Sequence, residues 1–288
     1  MIRWFLVIAL FAAAGPAWSA ERLNVVASFS IIGDFVRNVG GDSVNVTTLV
    51  GPDGDAHVYA PTPRDAKKIA GADLIVINGL GFEGWLPRLV QSSGSKAVIV
   101  TLSDGITPLR LGTDADPHAW QSVGNAKIYV ANIRAALSAA DPAGSAQYRA
   151  NAQGYLAKLD ALDREVRDAV AQIPPGRRKV ISTHNAFGYF AAAYGIEFIA
   201  PLGVSTESEP SARDIAGIIT QIKQAKIPAV FLENVSDPRL IQRIAAETGA
   251  KVGGTLYSDS LTGEKGDAPT YIDMVRHNIK ALTRALGD

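Results

Sequence analysis

The chain contains four histidines and no cysteine. Three of the histidines, His57, His118 and His184, fall in loops beyond the C-terminal ends of apolar runs that read as strands, and Asp259 falls in a fourth such loop. Open α/β sheets bind ligands outside the carboxyl ends of their strands. Three imidazoles and one carboxylate together form a four-donor nitrogen and oxygen set that suits zinc. Each residue also has a plain structural use. His57, in GPDGDAHVYAPTP, could be a solvated loop histidine, and His118, in DPHAW, could pack beside Trp120. His184, in STHNAF, could open a helix, and Asp259, in LYSDSL, could serve a turn. Their shared placement favours one common site.

Other polar residues are weighed against that set. His277 lies inside the last helical stretch, between Arg276 and Asn278, and reads as a solvated surface residue. Glu207 and Glu209 are carboxylates by type, but VSTESEPS reads as the approach to a helix. Glu233 closes the run AVFLE, where it can hold a histidine N–H or be a strand-end polar group.

The elements that position these residues follow from periodicity. Apolar runs at 23–29, 44–50, 74–78 and 97–101 alternate with helical stretches at 31–39, 62–70, 84–91 and 124–140. The order begins again with runs at 179–183, 196–200, 229–232 and 251–256, and helices at 186–194, 211–225, 238–248 and 270–286. Continuous apolar strands alternating with helices predict parallel sheets covered on both faces. The expected fold is therefore α/β with two lobes, each a mostly parallel four-stranded sheet flanked by helices. Between them, 141–173 reads as one helix, with Asp141 as its cap and Pro142 as its first residue. Its stripe is Tyr148, Ala152, Tyr155, Leu159, Leu162, Val166, Ala169 and Ile173, and Pro174, Pro175 and Gly176 end it. At 1.5 Å per residue it spans roughly 45 Å. No second heptad array accompanies it, so a spine joining two lobes is preferred to a coiled-coil seam. The expected divisions are a signal peptide at 1–20, a lobe at 21–140, the bridging helix at 141–175 and a second lobe at 176–288.

Composition narrows the function. The 288 residues carry 28 basic and 28 acidic side chains, with no basic stripe for nucleic acid and no polybasic segment for a membrane surface. Without cysteine there are no disulfides, thiolate metal sites or cysteine nucleophiles. Arg3 precedes an apolar stretch at 4–14 and small residues at 15–20, which reads as a signal peptide cut after Ser19. The stretch is too short for a comfortable membrane span. The mature chain is expected to be soluble, exported to the periplasm and, having no cysteine, not lipid-anchored.

GPDGDAHVYAPTPRD, ADLIVINGLGFEGWL, DPHAW, STHNAFGYFAAAYG and LYSDSL occur in this order. In them the chain resembles, from about residue 23 to 285, the solute-binding proteins of ABC importers for zinc and manganese. The resemblance implies a rigid bridging helix, metal held between the lobes by His57, His118, His184 and Asp259, and delivery to a membrane permease without enzymatic chemistry. Members resembling manganese binders have glutamate at the third position, where this chain has His184. Zn²⁺, one ion per chain, is the expected cargo; a manganese or iron carrier of the same fold is the alternative. A zinc hydrolase using the three histidines is disfavoured by the lack of HExxH and by the fourth ligand. Residues 103–117 hold no histidine-rich loop and no C-terminal cysteine pair is present, which suggests the AztC-like zinc subgroup and a separate periplasmic metallochaperone. A monomer with little closing motion is expected. Asp259, the only oxygen donor, in a loop of small polar residues, is expected to be the ligand easiest to displace.

Overall fold

The computed structural model describes residues 22–207 and 210–287. The expected signal peptide and Glu209 lie outside the described residues. The first lobe runs β1 (Leu23–Phe29), α1 (Ser30–Gly40), β2 (Val44–Val50), α2 (Pro63–Ala70), β3 (Leu74–Ile77), α3 (Leu86–Ser93) and β4 (Val98–Thr101). A short antiparallel hairpin, β5 (Arg110–Leu111) and β6 (Asp114–Ala115), lies between β4 and His118. Two helices follow, α4 (Val123–Ala140) and α5 (Ser145–Ala171). The second lobe is β7 (Lys179–Ile181), α6 (Gly188–Tyr194), β8 (Glu197–Ile199), α7 (Ala212–Ala225), β9 (Ala229–Glu233), α8 (Pro238–Thr248) and β10 (Lys251–Leu256), closed by α9 (Tyr271–Leu286).

Both four-stranded sheets are parallel throughout, in the orders β2-β1-β3-β4 and β10-β9-β7-β8. The apolar runs of the central strands β1 and β3 are explained by covering on two sides. In β1 every residue from Val25 to Phe29 is buried. The outer face of the first sheet meets α2 and α3 through Val26, Ile75, Ile69 and Leu89. The outer face of the second meets α7 and α8 through Ile181, Val230, Ile222 and Ile244. The inner faces share a single core, which runs from Ala27 and Phe29 through Tyr129, Leu159, Leu162 and Leu282 to Val180 and Phe231. The lobes are thus two sheets packed on a common helical layer of α1, α4, α5 and α9.

The bridging helix begins later than periodicity suggested. Asp141 donates its N–H to Leu137 O at 2.8 Å and ends α4. Pro142 has no N–H for an i−4 bond, and the residue before a proline avoids the helical region, so the chain must turn here. The Asp141 carboxylate then accepts the Gly144 N–H at 3.1 Å and the Tyr148 hydroxyl at 2.8 Å, which fixes the angle between the helices. The buried face of α5 follows the expected stripe as far as Val166, then shifts to Val170 while Ala169 is partly exposed. The closing helix returns to the first lobe: Tyr271 donates its N–H to Asp34 at 3.0 Å and its hydroxyl to Trp120 O at 2.7 Å.

Candidate metal centre

His57 sits on the loop between β2 and α2. Side-chain hydrogen bonds hold that loop. The Trp85 indole donates to Ala56 O at 2.8 Å, and the Tyr59 hydroxyl donates to Asp65 at 2.8 Å. Asp65, in the first turn of α2, also accepts the N–H and hydroxyl of its cap residue Thr62, at 2.9 and 2.7 Å. Asp55 ties the loop to the other lobe: it accepts the His57 N–H at 2.8 Å with one oxygen and the Thr206 hydroxyl at 2.7 Å with the other. The His57 ring rests edge-on against Phe82, centroids 4.6 Å apart. Phe82 is placed in turn by Glu83, whose buried carboxylate accepts Ser28 Oγ, Asn78 N–H and Gly79 N–H at 2.6, 2.7 and 3.1 Å. Burial pushes the Glu83 carboxyl up against those donors.

His118 follows β6 and His184 follows β7, and each is held by one carboxylate in two places. Asp116 accepts the His118 N–H at 3.0 Å, and its same oxygen lies 2.7 Å from His118 Nδ1. Glu233 accepts the N–H groups of Thr183 and His184 at 2.6 and 3.0 Å with one oxygen, and its other lies 2.6 Å from His184 Nδ1. A carboxylate at Nδ1 fixes the ring and leaves the Nε2 lone pair as the donor to a metal. Asp259 follows β10. Its neighbours are pinned on both sides: Ser258 O accepts Trp120 Nε1 at 2.9 Å and Gln121 Nε2 at 2.7 Å, and Leu261 donates to Ser30 Oγ at 2.9 Å. The loose loop expected around Asp259 is therefore absent. Small polar residues there are used to bond across to the first lobe.

The four residues converge. One ligand atom from each of His57, His118, His184 and Asp259 lies within 4.8 Å of all the others. His57 Nε2 is 3.2 Å from His118 Nε2 and 3.5 Å from Asp259 Oδ2. Asp259 Oδ1 is 3.6 Å from His118 Nε2, and its Oδ2 is 3.0 Å from His184 Nε2. A tetrahedral ion with bonds near 2.0–2.1 Å has ligand–ligand edges of about 3.3 Å, and these separations bracket that value. His118, His184 and Asp259 are fully buried, while His57 retains 5% side-chain exposure. Both Asp259 oxygens are buried and accept no hydrogen bond, despite the close His184 nitrogen. A buried carboxylate whose close neighbours are three imidazole nitrogens, with no hydrogen bond made to it, is costly without a positive charge beside it, which marks the point as one built for a cation.

The electrostatics agree. Burial would lower the His184 pKa, but Glu233 and Asp259 outweigh it and hold it well above the usual histidine value. For His118 burial wins over Asp259 and Asp116, and its pKa falls. Burial would raise the Asp259 carboxyl, but His184 and His118 hold it well below the usual range. Two carboxylates thus stabilise positive charge where the four donors meet.

Glu233 holds a histidine as one of its two sequence readings allowed. Asp116, Asp55, Asp65 and Glu83 were not found from sequence; for Asp116 the signal was its position two residues before His118, the spacing of a carboxylate that caps a turn. Glu207 is exposed and lies outside the four-residue cluster. His277 is only partly solvated: it is half-buried, its Nε2 is 3.1 Å from Thr255 O, and its ring packs edge-on against Tyr257 at 4.8 Å. A helix that covers β10 must bury that side of itself.

The profile of the family described as zinc-uptake complex component A, periplasmic, matches residues 25–285. The chain is 37% identical to the iron-binding protein YfeA of Yersinia pestis, over 97% of this chain and 91% of that one. It is 34% identical to the manganese-binding lipoprotein MntA of Halalkalibacterium halodurans, over 98% and 96%. Among solved structures, the periplasmic zinc binding protein TroA from Treponema pallidum superposes with a TM-score of 0.89 at 31% identity, covering 93% of this chain and all of that one.

Proposed function

The chain belongs to the family of periplasmic zinc-uptake components, metal-binding proteins that serve ABC importers, and from that premise we propose that His57, His118, His184 and Asp259 hold its cargo ion, one per chain. The observation that carries this reading is the convergence of the four donors, one atom from each within 4.8 Å of all the others, on a buried carboxylate that accepts no hydrogen bond. The protein is a transport component and not an enzyme. Its place is outside the cytoplasm and its partner is the importer's permease. In the proposed division, a lobe at 21–140 and a lobe at 176–288 each supply two of the ligands, across a bridge at 141–175.

Two observations bear on the ion. Relatives named for iron and manganese favour one of those as cargo. The set of three imidazoles and one carboxylate, shared in type with no manganese-like pattern of glutamate at His184, favours zinc. We give the relatives precedence. Nearly any nitrogen and oxygen site binds zinc more tightly than manganese, so the donor set speaks to affinity more than to cargo. Export without a lipid anchor, action as a monomer and loading by a periplasmic metallochaperone complete the proposal; the absence of cysteine and of a histidine-rich loop supports the first and last. The test is elemental analysis of protein isolated from its native compartment without chelator, followed by rescue of a deletion strain with single metals. Manganese or iron in the protein and in the rescue sustains the leading reading, zinc in both replaces it, and no bound metal sinks the proposal.

A further inference from the structure

The four candidate ligands are not equally enclosed or equally braced. His118 and His184 each have a carboxylate within 2.7 Å of Nδ1. Among the described residues the Nδ1 of His57 has no such partner. His57 is also the one ligand of the four with any side-chain exposure. That exposure opens into a cavity of about 470 Å³ between the lobes, walled by Phe82 and Pro117 of the first lobe and Ser205 of the second. Two exposed carboxylates stand in its wall, Asp114 on the β5–β6 hairpin and Glu207 on the loop after β8. A neighbouring cavity of about 360 Å³ borders Asp55 and Thr206 and contains none of the four ligands.

We propose, resting on the metal-carrier reading, that the ion enters and leaves past His57 through the 470 Å³ cavity, with Asp114 and Glu207 as its capture residues. His57 is then the last ligand made and the first broken. A ring without a carboxylate brace is a weaker and more mobile donor than its two neighbours. The other three ligands are sealed, so an ion cannot reach them before it has passed His57. Carboxylates contributed by both lobes put negative potential across the mouth, which raises the encounter rate of a dication and is screened by salt. Asp55 is a positioning residue in this scheme. It ties the His57 backbone to the Thr206 hydroxyl of the loop that forms the opposite wall.

The experiment uses the full mature chain and Zn²⁺ as the probe, with capture and release followed by stopped-flow against a fluorescent chelator. Ser205→Trp narrows the passage without touching a ligand. A residue that only lines the route must slow both directions together, by about tenfold for a barrier increment of ~1.4 kcal/mol, and leave the dissociation constant unchanged. Asp114→Asn with Glu207→Gln should slow capture about three- to tenfold at low salt, lose that difference at high salt, and leave release alone. Unaltered rates in both variants, or a change in Ser205→Trp confined to one direction, would overturn the route. Stoichiometric zinc on the wild-type chain in the same samples keeps the metal-carrier reading standing when the route fails; no zinc on the wild type overturns both.

Discussion

Glu233→Gln is the substitution that separates bracing from shape. The glutamate makes contacts at 2.6, 3.0 and 2.6 Å, to Thr183 N, His184 N and His184 Nδ1. A carboxylate is acceptor-only, so it satisfies all three donors. A glutamine of the same shape has one acceptor oxygen, and its amide hydrogens must face either the backbone pair or the imidazole. Loss of the partner behind a metal-binding histidine costs about 10–100-fold in affinity, or roughly 1.4–2.7 kcal/mol. The same change removes the leading electrostatic support for the His184 proton, so the pKa of that group falls in the variant. The sign of the pH effect follows. Below the raised pKa of His184 the ion must displace a proton, and affinity drops as pH falls; above it there is no such competition. In the variant this competition sets in at a lower pH. The deficit relative to wild type should therefore be larger at a higher pH and smaller at a lower one, where wild-type His184 is the more heavily protonated. Isothermal titration with Zn²⁺ at the two pH values, against a competing chelator, reads both numbers. Equal affinities at the higher pH, or the same ratio at both, would refute the assignment of Glu233.

Four further outcomes are expected. In a competition titration Zn²⁺ should displace Mn²⁺ with an affinity advantage of several orders of magnitude, following the general order of divalent ions, and comparable affinities would contradict a site of three imidazoles and one carboxylate. Elemental analysis after gel filtration should give one tightly held ion per chain, because the cluster of four is the one group of its kind among the described residues; two ions would show that a second site exists. Small-angle scattering of the empty and loaded forms should give nearly the same radius of gyration, since the lobes share one core; clear compaction on loading would argue for a hinge. Leu159→Ala, at a fully buried position of α5, should cost about 2–5 kcal/mol and leave a single thermal transition, whereas two separated transitions would show that the lobes unfold independently.

The parts of the fold that were legible in sequence are those with an unambiguous period. The runs that became β1, β2 and β10 were read to the residue: β1 because it is buried from Val25 to Phe29, and the edge strands β2 and β10 because glycine, proline or turn residues bound their β-rich runs, although they carry polar and exposed positions. The start of α5 was misread because Asp141-Pro142 fits an N-terminus as well as it fits the stop of the preceding helix, and only the packing of Tyr148 against Asp141 decides between them. The hairpin at β5 and β6 is two residues a side, too short to carry a pattern. The four candidate ligands were visible from their common place after strands. Their bracing by Asp116 and Glu233 was not, apart from the readings that position allowed, because a contact such as Glu233 with His184 joins residues far apart in sequence. The bracing of the Asp259 loop was hidden for the same reason. Ser258 and Leu261 look like loop residues until Gln121 and Ser30 of the other lobe are seen to bind them.

The common core under both sheets bears on how a permease tells a loaded carrier from an empty one. A binding protein that folds about a hinge announces its cargo by its outline, and a partner can select the closed shape. Here the layer of α1, α4, α5 and α9 joins the lobes through continuous apolar packing, which leaves little outline to change. The message has to be local and written in charge. A dication held at the His57 end of the cleft alters the potential at a mouth already lined by carboxylates from both lobes. A docking partner that reads this carrier would then present its own charges to that mouth, and the discrimination between full and empty would weaken as salt is added.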